Sequence, residues 1–356
     1  MKKIPMSLGN RSYSIIIEDG LINSLAMLLK KKNTNQQWII ISQQSIMKHY
    51  GNDLYNQLND NGFNVNKIMI EEGESSKDIK IYMQIVSKLL ESNCDRSSII
   101  LALGGGVVGD IAGFVASTYL RGIKYYQIPT TLLAMVDSSI GGKTGLNYLR
   151  TKNIIGTIYQ PDAVLIDPQL LSTLPVDETI SGIGEIIKYG AIKDSIFLKN
   201  LNEWIDDLNN FPYSIAIERC CEIKADVVSA DEKEKDLRRI LNFGHTIGHA
   251  LESHIGYDNI RHGEAISYGM KCASWISKEK SLINNDEYNF MIELINKLPL
   301  PKLDKLNYDQ IIQFINFDKK YQNGKLSFIL LNGLGSTEIA TDISKELIRK
   351  SLKVLQ

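Results

Sequence analysis

The sequence predicts an α/β fold: a Rossmann-like parallel sheet with covering helices over residues 1–173, followed by a mainly α-helical domain over residues 174–356. Three observations predict it. Short β-branched runs alternate with helical periodicity in the first half, a glycine turn joins one such run to a helical pattern, and the texture turns almost wholly helical after Pro175. In order, residues 14–17 and 38–41 read as buried strands, 80–90 as a helix and 98–103 as a strand running into the glycines. Residues 125–129 and 163–166 read as further strands. From about 175 to 315 apolar residues recur at helical spacing. Leu198, Leu201, Trp204, Ile205 and Leu208 form one stripe, the pattern of a core-facing helix. Residues 326–331 predict a late strand before a final helix.

The bulk values are those of an ordinary globular chain. Of 356 residues, 44% are hydrophobic and 23% charged, enough to bury a large core. The formal net charge of -1 leaves no basic excess for a nucleic-acid partner. No apolar run reaches the ~18 residues of a membrane span, and the N-terminus lacks an unbroken apolar segment and a cleavage site, so the cytoplasm is expected. The four cysteines, Cys94, Cys220, Cys221 and Cys272, form no C-x-x-C pair and read as reduced apolar residues.

Gly104-Gly105-Gly106-Val107-Val108-Gly109 has the G-x-G-x-x-G spacing between a strand and a helix. Glycines there let backbone N–H groups approach a pyrophosphate at a helix N-terminus. The acidic residue expected about 20 positions later is absent, and Arg121 and Lys124 stand there instead. A second loop, Gly141-Gly142-Lys143-Thr144, is similar to the end of a P-loop, but Asp137 occupies the leading glycine position, which excludes a triphosphate site of that kind. Lys143 remains able to grip one phosphate. Asp137 lies in a stretch of small and apolar residues and requires a partner.

Four of the five histidines fall between Asn242 and His262. His245 and His249 are four apart and share a helix face, a chelating spacing. Thr246 replaces the glutamate of H-E-x-x-H, which argues against peptide hydrolysis. His262 opens His262-Gly263-Glu264. Imidazoles with a carboxylate suit Zn²⁺, and spacing alone selects His245 and His249 as ligands.

Taken together, the motifs resemble the 3-dehydroquinate synthase family, a family of sugar phosphate cyclases, over nearly the whole chain. They run in order: Gly104–Asp110; Tyr119-Leu120-Arg121-Gly122; Pro129-Thr130-Thr131-Leu132-Leu133; Val136-Asp137-Ser138-Ser139 with Gly142-Lys143-Thr144-Gly145; Lys152-Asn153; Gly184-Glu185-Ile186-Ile187-Lys188; Asp231-Glu232-Lys233-Glu234 with Arg238; and residues 241–252. The resemblance implies an NAD- and Zn²⁺- (or Co²⁺-) dependent carbon–oxygen lyase acting as a homodimer. It would convert 3-deoxy-D-arabino-heptulosonate 7-phosphate to 3-dehydroquinate and phosphate by transient oxidation, phosphate elimination, re-reduction and aldol closure. The implied metal ligands are Glu185, His245 and His262, with His249 a nearby relay. NAD would meet Gly105, Gly106, Asp110, Thr130, Thr131, Asp137, Lys143, Lys152, Asn153, Thr173 and Glu178, with Glu74 and Lys77 as the family's Glu-x-x-Lys contact. Gln43 stands where the family usually has Asp. The implied catalytic set is Lys143, Lys188, Lys224, Glu234, Arg238, Asn242 and His249. Arg238 would fork onto the substrate carboxylate. Lys143, Asn153, Asn242 and Lys320, preferred to Lys319, would hold phosphate, and Arg121 would reach the neighbouring subunit's phosphate. A cyclase for a neutral sugar phosphate would leave Arg238 unpaired, and a simple alcohol dehydrogenase would have no use for the cationic set.

Overall fold

The computed structural model describes residues 1–30, 36–149, 151–256, 259–304, 306–321 and 327–356, the side chains of 316–321 excepted. The chain forms two compact units: Met1–Pro175 with Tyr213–Lys233, and Val176–Pro212 with Glu234–Gln356.

The strands of the first unit are β1 (Lys2–Met6), β2 (Tyr13–Ile17), β3 (Gln37–Gln43), β4 (Asn64–Ile70), β5 (Ile99–Gly104), β6 (Lys124–Pro129), β7 (Lys143–Tyr148), β8 (Thr151–Ile158) and β9 (Ala163–Ile166). Seven of them make one sheet, ordered β1-β2-β9-β6-β5-β3-β4. Only β1 runs antiparallel to its neighbour. β5 is buried at every position because both faces are covered. One face packs Ile39, Ile41 and Ile100 against Ile111 and Val115 of helix Gly106–Thr118. The other packs Trp38, Ile40 and Leu101 against Leu25, Leu54 and Leu58. The strand order reverses between β3 and β5, so the crevice suited to a ligand lies at their carboxyl ends, where Gln43 and Gly104 stand. β7 and β8 form a separate antiparallel hairpin.

The expected single cut at 173/174 needs correction. Helix Tyr213–Ala230 joins the first unit, because its buried face packs on β1 and on the turn Ala134–Ser138. Lys224 therefore belongs with Asp137, not with the helical unit. Sequence patterning also left β1, β4 and the β7–β8 hairpin unassigned.

The second unit holds helices Val176–Lys193, Ser195–Trp204, His245–Ile255, His262–Glu279, Asn285–Asn296, Tyr308–Tyr321 and Lys345–Ser351. The predicted late strand is β10 (Phe328–Leu331), paired with an unforeseen β11 (Thr337–Ala340). Ile247, Leu251, Cys272, Ile276, Ile311 and Phe328 form its core. Three helices cross here at backbone contact. A Cβ on Gly263 would lie 1.8 Å from Ser181 O, and one on Gly269 would lie 1.9 Å from Gly244 O. Glycine alone permits such approach, and it brings Glu185, His245 and His262 together. No described helix is long and apolar enough to cross a membrane.

Candidate metal centre and dinucleotide site

Within the second unit, Glu185 is fully buried on helix Val176–Lys193. His245 opens the helix that follows Gly244, whose φ of +79° turns the chain into it. His262 opens helix His262–Glu279, where the Arg261 N–H donates to Glu264 at 2.8 Å and the Arg261 guanidinium holds Glu178 at 2.9 Å. Nε2 of His245 lies 3.6 Å and Nε2 of His262 3.5 Å from Oε1 of Glu185. His249 completes a trio of imidazoles whose ligand atoms all lie within 4.8 Å of one another. The spacing-based pair and the family-implied set thus meet at one place.

The chemistry of this cluster fits a divalent cation. Both Glu185 oxygens are buried without a hydrogen bond, although the Lys188 ammonium stands against Oε2. An ionised carboxylate in that position is costly unless further positive charge faces it. His245 Nδ1 lies 3.1 Å from the Phe243 carbonyl, which can only accept, so the proton sits on Nδ1 and the Nε2 lone pair faces Glu185. Burial, then Lys188 and the other two histidines, push the His245 pKa well below its ordinary value and keep the ring neutral, as a ligand requires. On His262, Nδ1 faces Glu252 Oε2 at 3.5 Å. Glu252 is buried, and neither it nor the Phe243 carbonyl was anticipated as part of the site. A glutamate three residues after His249 carries no sequence signal of its own, because only the helix packing aims it at His262.

Arg238 is buried on the turn Leu237–Asn242, and Asn242 donates to Glu234 at 2.7 Å. With Lys188, these residues belong to the second unit, as does Glu178. Lys319 and Lys320 lie outside the residues whose side chains are described.

In the first unit, Gly105 and Gly106 start helix Gly106–Thr118 at the end of β5. Beside them the Thr130 and Ser138 hydroxyls are buried without hydrogen-bond partners. A hypothetical Cβ on Gly106 would stand 3.0 Å from Ser138 Oγ. Unpartnered hydroxyls at a glycine-lined helix start fit the polar oxygens of a dinucleotide. Thr131 borders Gly105. Thr173 is exposed, its hydroxyl 2.7 Å from Tyr50. Gln43 donates to the Glu71 carbonyl at 3.0 Å. Lys77 donates to Asp110 at 2.6 Å and to Asn153. Burial opposes its charge, but Asp110 and Glu74 outweigh that and raise its pKa. Asp137, the residue that required a partner, receives Lys224 at 2.8 Å through Oδ1 and 2.7 Å through its carbonyl. Lys143, Asp110 and Asn153 line a pocket of about 320 Å³ with Ile154 and Thr157, and Lys152 is half-buried on β8 next to Asn153. Arg121 is exposed on a turn in which Leu120 and Arg121 both have positive φ, as do Asn153 and Glu234. Such conformations cost on the order of 1–3 kcal/mol each and concentrate at functional sites.

Models of the 3-dehydroquinate synthase N-terminal and C-terminal domains match residues 67–181 and 182–321. A 3-dehydroquinate synthase of Rippkaea orientalis is 44% identical over 97% of this chain and 96% of its own length. Among solved structures, the 2-epi-5-epi-valiolone synthase of Streptomyces hygroscopicus subsp. jinggangensis, with NAD⁺ and Zn²⁺ bound, superposes with a TM-score of 0.87 at 25% identity, covering 100% of this chain and 98% of that one. A 2-deoxy-scyllo-inosose synthase complexed with carbaglucose-6-phosphate, NAD⁺ and Co²⁺ superposes at 0.88 and 26% identity, covering 99% of each.

Proposed function

The chain belongs to the 3-dehydroquinate synthase family, and on that premise we propose that it converts 3-deoxy-D-arabino-heptulosonate 7-phosphate to 3-dehydroquinate and phosphate, as an NAD- and divalent-metal-dependent carbon–oxygen lyase. The observation that carries the reading is the buried Glu185 carboxylate faced by Nε2 of both His245 and His262. When bound, NAD⁺ would supply a transient hydride acceptor and donor, and a divalent cation would supply Lewis acidity for the substrate hydroxyls.

The chain's own residues bind and orient. Glu185, His245 and His262 would hold the cation. Thr130, Thr131, Gly105, Gly106, Asp110, Glu74, Lys77, Lys152 and Thr173 would hold the dinucleotide, with Asp137 and Glu178 beside it. Arg238, buried on its turn, offers a guanidinium fork to the substrate carboxylate. Lys143, Asn153, Asn242 and Lys320 would bind the phosphate, and the charge of the two lysines favours its departure as an anion. Lys188, Lys224 and Glu234 hold partner groups in place, and exposed His249 is suited to move a proton between the bound substrate and water. The reading includes a cytoplasmic homodimer in which Arg121, on its strained turn, reaches the partner's substrate phosphate.

The test is phosphate release with NAD⁺ and Zn²⁺ present and NADH absorbance followed in parallel. Many turnovers of phosphate with 3-dehydroquinate as product and no accumulating NADH support the reading. Accumulating NADH without phosphate overturns it in favour of a dehydrogenase. Activity on a neutral sugar phosphate alone overturns the role given to Arg238.

A further inference from the structure

We propose that Asn147, a residue with no assigned role, is the positioning residue that joins the Glu74–Lys77 loop to Asn153 and so presets the nucleotide end of the site; this rests on the reading above that Glu74, Lys77 and Asn153 serve NAD⁺. The β7–β8 ladder pairs Leu146 with Ile155 and Tyr148 with Thr151, and its register breaks between Leu146 and Tyr148. Asn147 sits at the break. Irregularities of this kind turn a side chain and its backbone groups out of the ladder. The Asn147 N–H donates instead to the Lys77 carbonyl at 2.7 Å. Its side chain spans two further partners: Nδ2 donates to Glu74 Oε1 at 2.8 Å, and Oδ1 accepts the Asn153 N–H at 2.9 Å.

The ring closes through Lys77, whose ammonium donates to Asn153 Oδ1 and lies 3.5 Å from Glu74 Oε1. Asn147 thus connects two segments far apart in sequence and uses both ends of its amide to do so. It also holds the backbone of Asn153, whose φ of +53° lies in the left-handed region. Because Lys77 donates to Oδ1 of Asn153, Nδ2 is the amide atom left to donate to an anionic ligand.

The test measures NAD⁺ affinity of the full chain by calorimetry for wild type, N147A, N147D, E74Q and E74Q/N147D. N147A should weaken binding about tenfold, the effect of one to two lost hydrogen bonds. N147D keeps the acceptor for the Asn153 N–H but sets two carboxylates against each other, and should bind more weakly than N147A. E74Q/N147D exchanges donor and acceptor across the same contact and should bind about tenfold more tightly than N147D. A merely structural role would lower the melting temperature of both Asn147 variants without this recovery, and recovery is read even if N147A fails to fold. Wild-type affinity in N147D, or a double variant no better than N147D, overturns the proposal. A wild-type chain that releases phosphate but shows none of these differences leaves the family reading intact and removes only Asn147, whereas a wild-type chain that binds no NAD⁺ removes both.

Discussion

Nε2 of His262 faces Oε1 of Glu185 across 3.5 Å, and neither residue is near the other in sequence. This geometry predicts which groups hold metal. Glu185→Ala and His262→Ala should each lose stoichiometric zinc after dialysis, measured by elemental analysis, whereas His249→Ala should retain it, because His249 is the exposed member of the trio. Zinc retained in Glu185→Ala but lost in His249→Ala would shift the ligand set to the three imidazoles.

Glu252 would act one layer further out. Its carboxylate lies 3.5 Å from Nδ1 of His262 and would hold that ring with Nε2 toward the cation. Carboxylates in this position commonly contribute about 10–100-fold to metal affinity. Glu252→Ala should weaken zinc binding by about that factor in a chelator competition, and Glu252→Gln by less, since the amide oxygen still accepts. Equal affinities in all three proteins would remove Glu252 from the site.

The helix crossing that brings Glu185, His245 and His262 together depends on glycine. Gly269→Ala would drive a methyl group to 1.9 Å from the Gly244 carbonyl, a backbone atom that cannot move aside alone. A destabilisation of about 3 kcal/mol or more is expected, at the upper end for overpacking. Denaturant titration of the metal-free chain would read it directly, and a change below about 1 kcal/mol would mean the helices separate easily.

Lys77 gives a pH dependence. Its folded pKa lies above the ordinary 10.5, burial being outweighed by Asp110 and Glu74. The favourable contribution is therefore fully present below pH 10.5 and is lost as pH rises through the folded value. Lys77→Met should lower stability at pH 8 by on the order of 3 kcal/mol, since it strands Asp110 in a half-buried place. The gap between wild type and variant should narrow in alkali, and a gap constant to pH 12 would show that charge pairing is not its source.

Legibility in the sequence followed the reach of each interaction. β5 and β9 could be read because aliphatic runs covered on both faces announce themselves locally, and β6 because its paired tyrosines and isoleucine suit a buried strand. β4 could not, since its NVNKIMI mixes polar and apolar positions at a sheet edge. Helix Tyr213–Ala230 falls inside the long stretch that read as helical, but its membership of the first unit was not legible, because that is decided by partners near residues 2–6 and 134–138. In the site, His245 and His249 were legible from their spacing. Glu185 came only through family resemblance, because a lone glutamate in an apolar helix has no local pattern that names its partners. Glu252 and Asn147 stayed hidden for the same reason.

On the proposed reading, Arg238 would carry the choice of substrate. Its guanidinium is only 2% exposed, and the planar fork matches a carboxylate in two contacts. Arg238→Lys keeps the charge but loses the fork. It should raise KM for 3-deoxy-D-arabino-heptulosonate 7-phosphate more than it lowers kcat, with kcat/KM down about 10–100-fold, corresponding to about 1.5–3 kcal/mol for a charged hydrogen bond. Binding energy spent equally on ground and transition states appears in KM, whereas an interaction made only at the transition state would appear in kcat. Steady-state kinetics of the variant therefore separate the two: a fall in kcat alone would place Arg238 at the phosphate-leaving end, and no change in either constant would remove it from the substrate.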